Sequence, residues 1–146
     1  MNSLKAISRR GFATNLYLWA AMPRLGPKAS DLKQQFTIPK GIPRRIEAVD
    51  GLDITKLRIG LRHSALVSKD GNLYTFGSGN WGGLGHGNEN DVRFDEPKLV
   101  DYFVNKGLKV KDVALGEYHT MVLTDDGDVY TWGYAGKKGF FNWMYT

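Results

Sequence analysis

The chain reads as an all-β repeat protein. Leu57 to Gly83 runs LRIGLRHSALVSKDGNLYTFGSGNWGG, and Val113 to Gly139 runs VALGEYHTMVLTDDGDVYTWGYAGKKG, 56 residues later and without a gap. A fixed period with its turn glycines held in place is the mark of a repeat architecture. Each copy also sets Asp-Gly between two short apolar runs, a strong local signal for a β-hairpin. Eighteen glycines in 146 residues suit many tight turns better than a helical bundle.

The repeat signature pairs Gly60 with Gly116, His63 with His119, Gly71 with Gly127 and Gly77 with Gly133. In the first copy Ser64 to Ser68 is expected as a strand, Lys69 to Asn72 as the turn and Leu73 to Gly77 as the return strand. In the second copy the same roles fall to Met121–Leu123, Asp125–Asp128 and Val129–Gly133. A glycine directly after the aromatic of the return strand marks a place where a Cβ would clash or φ is positive.

The pattern Gly60-x-x-His63-Ser64, then Leu66, Asp70-Gly71, Leu73-Tyr74 and Phe76-Gly77, leads into Gly79-Asn80-Trp81-Gly82-Gly83-Leu84-Gly85-His86-Gly87. Together with its second copy, it resembles the regulator-of-chromosome-condensation repeat over residues 57 to 139. The resemblance implies a β-propeller of four-stranded blades. The expectation for this chain is an incomplete propeller, about two blades plus an N-terminal strand. Its domains are expected at 57–112 for the first repeat and 113–146 for a truncated second one.

The first twelve residues have another character. Lys5, Arg9, Arg10, Arg24 and Lys28 lie within the first 30 residues, and the first acid is Asp31. An acid-free, Arg-containing start reads as a mitochondrial transit peptide over residues 1–12, and Arg10-Gly11-Phe12-Ala13 resembles a matrix-peptidase site. Leu4 and Ile7 would give a short helix weak amphipathicity. The bland reading is a basic tail. Leu16 to Met22 is the longest apolar run here and is far too short to span a bilayer.

Residues 13–56 are expected to hold an N-terminal propeller strand and a connection. Asn15-Leu16-Tyr17-Leu18-Trp19-Ala20 matches Asn72-Leu73-Tyr74-Thr75-Phe76-Gly77 at an offset of 57, so it reads as a return strand, the alternative being part of the leader. Phe36-Thr37-Ile38 reads as a short edge strand. Ile42-Pro43-Arg44-Arg45-Ile46 matches Glu96-Pro97-Lys98-Leu99-Val100 at an offset of 54, as the start of an outer strand. Asn88 to Glu96 is an acidic loop, and Asp101 to Lys111 has room for one helical turn before Gly107.

Composition removes several function classes. The net charge of +5 comes from the N-terminal stretch, since residues 31–146 hold 15 basic and 15 acidic residues. Nucleic acid is therefore a disfavoured partner. The absence of cysteine excludes disulfides, thiolate zinc sites and cysteine nucleophiles. Gly77-Ser78-Gly79-Asn80-Trp81-Gly82 spells a dinucleotide fingerprint, but the further Gly83, Gly85 and Gly87 forbid the helix that would have to hold a pyrophosphate. His63 and His119 occupy one slot in successive repeats, so they are expected to bond within their own blades rather than share a metal. Asp125, Asp126 and Asp128 suit a turn better than a calcium loop. No catalytic, cofactor or metal residues are expected, and the chain is not expected to be an enzyme.

The functional expectation is a non-catalytic mitochondrial scaffold that binds proteins as part of a multi-subunit complex, in the matrix or on the matrix face of the inner membrane. Phe140, Phe141, Trp143, Met144 and Tyr145 are the candidate interaction residues, because aromatic and Met-rich ends suit interface cores. The resemblance leaves two alternatives: an exchange factor for an organellar small GTPase, and a factor associated with the mitochondrial ribosome or RNA. Two blades do not close a ring. A longer chain, partner chains that complete the propeller, or a minimal strand-donating subunit would each account for that.

Overall fold

Two Asp-Gly hairpins set the architecture. In the computed structural model, residues 3–9, 13–19, 42–88 and 90–134 are described. The chain divides into two units, Met1–Leu52 and Asp53–Thr146.

In the second unit, β4 (Ile54–Ile59), β5 (His63–Ser68), β6 (Leu73–Asn80) and β7 (Asn90–Leu99) form a four-stranded antiparallel sheet in that order. A short helix, α1 (Asp101–Asn105), leads to β8 (Val110–Leu115), β9 (His119–Thr124) and β10 (Val129–Gly133), which form a three-stranded sheet. The two sheets repeat each other residue for residue. His63 faces Gly77 and Val67 faces Leu73 in the first hairpin, as His119 faces Gly133 and Leu123 faces Val129 in the second. Even the irregularity recurs, between Ile54 and Lys56 in one sheet and between Val110 and Asp112 in the other.

The hairpin turn explains part of this fidelity. Gly71 N–H donates to Ser68 O at 3.0 Å, Ser68 N–H donates to Asn72 O at 2.9 Å, and Gly71 has φ +82°. This is a tight turn closed by a left-handed residue, which a Cβ would penalise. Ser68 Oγ also accepts from Asn72 N–H at 3.2 Å, and Thr124 Oγ1 accepts from Asp128 N–H at the same distance.

The core of this unit lies between the sheets. Ala65, Val67, Leu73, Val100 and Phe103 of the first repeat pack with Val110, Val113 and Val122 of the second. Phe103 enters from α1 and meets the Tyr130 ring edge-on, 5.4 Å away. Burying such a ring stabilises by about 2 kcal/mol relative to leaving it in water. The helix stops after one turn because Gly107 is left-handed at φ +68°, with Gly107 N–H bonded to Val104 O at 3.0 Å and Leu108 N–H to Phe103 O at 2.9 Å. The expected helical turn before Gly107 is therefore present.

β5 is buried along its whole length, whereas β9 alternates, with Thr120, Val122 and Thr124 inward and His119 and Met121 outward. That alternation is what one covered and one bare sheet face produce.

In the first unit, β1 (Ser3–Arg9), β2 (Ala13–Trp19) and β3 (Arg44–Arg45) form an antiparallel sheet in chain order. The N-terminal segment thus runs as a strand against β2, with Leu4 opposite Leu18, and not as the amphipathic helix that Leu4 and Ile7 suggested. The expected strand over Leu16–Trp19 is present. Its outer pairing copies the other sheet: Tyr17–Arg45 and Leu18–Arg44 correspond to Tyr74–Leu99 and Thr75–Lys98. A 3-10 turn, Glu47–Val49, buries Val49 where α1 buries Phe103. The edge strand expected at Phe36–Ile38 lies outside the described residues.

Candidate functional site

The joint between the repeats is polar at its centre. His63 Nε2 lies 2.7 Å from Thr120 Oγ1, and the Thr120 hydroxyl donates to Gly83 O at 2.8 Å. Because that hydroxyl proton is committed to a carbonyl, Nε2 carries the imidazole proton and donates to Thr120. Trp132 Nε1–H also donates to Gly83 O, at 3.0 Å. One residue on, Leu84 O accepts from the Thr75 hydroxyl at 2.7 Å, and Thr75 Oγ1 in turn lies 3.0 Å from His86 Nε2. Adjacent carbonyls of the glycine-rich loop are thus held by a threonine from each repeat.

This arrangement differs from the expectation that His63 bonds within its own blade: its partner belongs to the next one. His63 is 2% exposed, and its Nδ1 has no hydrogen-bond partner. Burial, with a smaller contribution from His119, lowers its pKa from 6.5 to about 4, so the ring is neutral at physiological pH. His119, its counterpart, is exposed. Among the described residues, no group of three or more His, Asp or Glu is placed to hold a metal ion.

The signature glycines sit around this joint. Gly77 has φ +118°, and a Cβ there would stand 2.7 Å from both Arg62 O and His63 Cα. Gly133 repeats the geometry against Tyr118 and His119. A Cβ on Gly116 would fall on the His119 ring, and one on Gly60 would press against His63 O and Leu115. Gly127 occupies the turn position of Gly71.

Ion pairs cross the joint at its surface. Arg58 and Lys56 of β4 reach Asp112 of β8 at 2.9 and 3.4 Å. A hydrogen bond from Val113 N–H, followed by those two cations, holds the Asp112 carboxyl below its usual range. Arg62 pairs with Glu117 at 3.1 Å and lies 4.5 Å over the Tyr118 ring. Exposed pairs of this kind contribute about 1 kcal/mol or less each.

Beside the joint lies an open cleft of about 580 Å³, whose lining includes Trp81, Tyr102, Phe103, Tyr130, Thr131 and Trp132. Trp81 is 58% exposed, has φ +63°, and sits 5.2 Å from the Tyr134 ring. A tryptophan in the left-handed region is strained, and such strain concentrates at binding sites. Concave surfaces walled by aromatics with a few polar groups suit peptide or small-ligand binding.

Sequence reading missed this cleft. Its signals were present in the Tyr102-Phe103 pair before Gly107 and in the Tyr130-x-Trp132 alternation, but neither says that α1 folds back over β10. The residues proposed instead, Phe140, Phe141, Trp143, Met144 and Tyr145, lie outside the described residues. No helix among the described residues is long and apolar enough to cross a membrane.

Sheets repeated in this way define a β-propeller class of protein. The family model described as the regulator of chromosome condensation (RCC1) repeat matches residues 70–123, and a second model of that description matches 110–138. Residues 70–138 therefore match RCC1 repeats. It is 43% identical over 91 residues to the human E3 ubiquitin-protein ligase HERC2, covering 62% of this chain and 2% of that protein. It is 37% identical over 113 residues to the RCC1 domain-containing protein RUG3, mitochondrial, of Arabidopsis thaliana, covering 77% and 24%. Its fold is similar to that in a crystal structure of Kap60 bound to yeast RCC1 (Prp20), at a TM-score of 0.57 and 21% identity, over 83% of this chain and 28% of that one. The chain spans about a quarter or less of these curated relatives. The architecture is an all-β, partial propeller, as the family resemblance implied.

Proposed function

We propose that this chain is a non-catalytic protein-binding module that works within a mitochondrial multi-subunit assembly. The observation that carries the reading is the aromatic cleft at the joint of the two repeats, with the exposed Trp81 held in a strained conformation at its rim. Rigid aromatic anchors of this kind dominate protein interfaces. Two further observations support the location. The first 30 residues contain five basic and no acidic residues, and one relative bears a mitochondrial designation. The strand β1 occupies part of the proposed leader, so removal of residues 1–12 would leave β2 as the start of the first sheet.

The test is native fractionation of mitochondria from cells expressing the tagged chain. Co-migration with a complex much larger than 16.4 kDa is expected. A protein that stays outside mitochondria, or migrates there as a free monomer without partners, would overturn the proposal. The rival exchange-factor reading predicts accelerated release of fluorescent guanine nucleotide from an organellar GTPase, which a pure scaffold does not produce.

A further inference from the structure

β1 pairs with β2 at 7 consecutive positions, from Ser3 opposite Trp19 to Arg9 opposite Ala13. On the other side of β2, Ile46 N–H donates to Leu16 O at 2.8 Å, so Leu16 turns its backbone groups toward β3. Backbone groups alternate sides along an antiparallel strand, so Asn15 and Tyr17 turn theirs toward β1. Lys5–Tyr17 and Ile7–Asn15 are therefore hydrogen-bonded pairs of the ladder. Ser8–Thr14 is a non-hydrogen-bonded pair, with Cα atoms about 4.5 Å apart. Leu4 and Ala6 stand opposite Leu18 and Leu16, two buried residues of β2.

The same residues spell a second conformation. In a helix Lys5 and Arg9, four apart, would share one face, and Leu4 and Ile7, three apart, another. That separation is the basic amphipathic pattern of a transit peptide. A two-residue period instead groups Lys5 with Ile7 and Arg9, and the separation is lost. The two forms exclude each other in the backbone as well. Seven residues span about 23 Å as a strand and about 10 Å as a helix. A backbone N–H that bonds to β2 is also withdrawn from the helical i to i−4 ladder.

We infer that β1 is an autoinhibitory strand: paired on β2, it withholds the basic segment from an import receptor that reads a helix, so the chain enters mitochondria only while this ladder is open. The receptor's apparent affinity then falls with the fraction of chains in which β1 is free. Closing the first sheet thus ends the period in which the chain can be imported. The inference rests on the mitochondrial reading above and adds its regulation.

The test is uptake of the purified chain by isolated mitochondria, read as protease-protected product. The native chain should enter at least roughly tenfold more slowly than the same chain diluted from urea, as expected when β1 is open about a tenth of the time or less. Tyr17→Pro deletes an N–H aimed at β1 and none aimed at β3, and should bring the native chain up to the unfolded rate. Val49→Ala loosens the same unit by removing buried methyl groups, leaves the β1–β2 ladder intact, and should leave the native rate low. Ser8→Cys with Thr14→Cys supplies a lock. The chain has no cysteine of its own, so oxidation makes one disulfide across that pair, and uptake should require its reduction. Equal rates for native and unfolded chain overturn the inference. So does equal acceleration by Tyr17→Pro and Val49→Ala, or uptake of the oxidised double-cysteine chain. If the urea-unfolded chain also stays outside, the mitochondrial reading itself fails and takes the inference with it, so the two failures are told apart.

Discussion

His63 and Thr120 meet at 2.7 Å across the boundary between two repeats, and the same threonine closes the glycine-rich loop of the repeat it does not belong to. Replacing Thr120 with Val keeps the volume and removes both hydrogen bonds. It leaves a buried imidazole N–H unpaired and takes the threonine's bond from Gly83 O, at a cost of about 2 kcal/mol. Thr120→Ser should recover most of that. Urea midpoints of the two variants check the prediction, and equal midpoints would refute it.

Protonating His63 should loosen the same joint. Its folded-state pKa, about 4, lies below the unfolded value of 6.5. The unfolded chain therefore takes up the proton first as pH falls. The contribution is fully present above pH 6.5 and is lost progressively toward pH 4, by about 3 kcal/mol at most. His63→Gln should flatten this part of the profile. Unfolding free energies at pH 7.5 and 4.5, for both proteins, provide the comparison.

Two glycines at positive φ should respond differently to alanine. Gly127, at φ +94°, has nothing within 4 Å of the place a Cβ would take, so Gly127→Ala meets only backbone strain of about 1 kcal/mol. Gly77→Ala adds overlap with Arg62 O and His63, raising the loss to about 3 kcal/mol or more. Thermal unfolding orders them, and a larger shift for Gly127→Ala would be the contrary result.

Trp81→Gly removes a bulky residue from a left-handed position and should leave stability unchanged or raise it by about 1 kcal/mol. It should also weaken partner recovery in mitochondrial co-purification, because it strips one wall of the cleft. A loss of both stability and binding would make Trp81 a structural residue.

Much of the fold was legible because the repeat fixes local chemistry. Gly71 and Gly127 mark left-handed turns, and the match of Leu16–Trp19 to Leu73–Phe76 placed β2 correctly. The match of Ile42–Ile46 to Glu96–Val100 marked an outer strand, but its pairing with β2 came only from the structure. The site was less legible. A one-residue pattern does not say that His63 reaches a hydroxyl 57 residues away, because the period describes each sheet and not the stacking of one on the next. The β1 strand was obscured by composition: Lys5, Arg9 and the missing acids suggest an import signal, while strand pairing depends on the backbone of β2 opposite.

The His63–Thr120 contact also sets an order of events during synthesis. The carbonyl of Gly83 leaves the ribosome 37 residues before the hydroxyl that secures it, so the earlier repeat waits for the later one to be translated. Until Thr120 is made, that carbonyl lacks the partner the finished joint gives it.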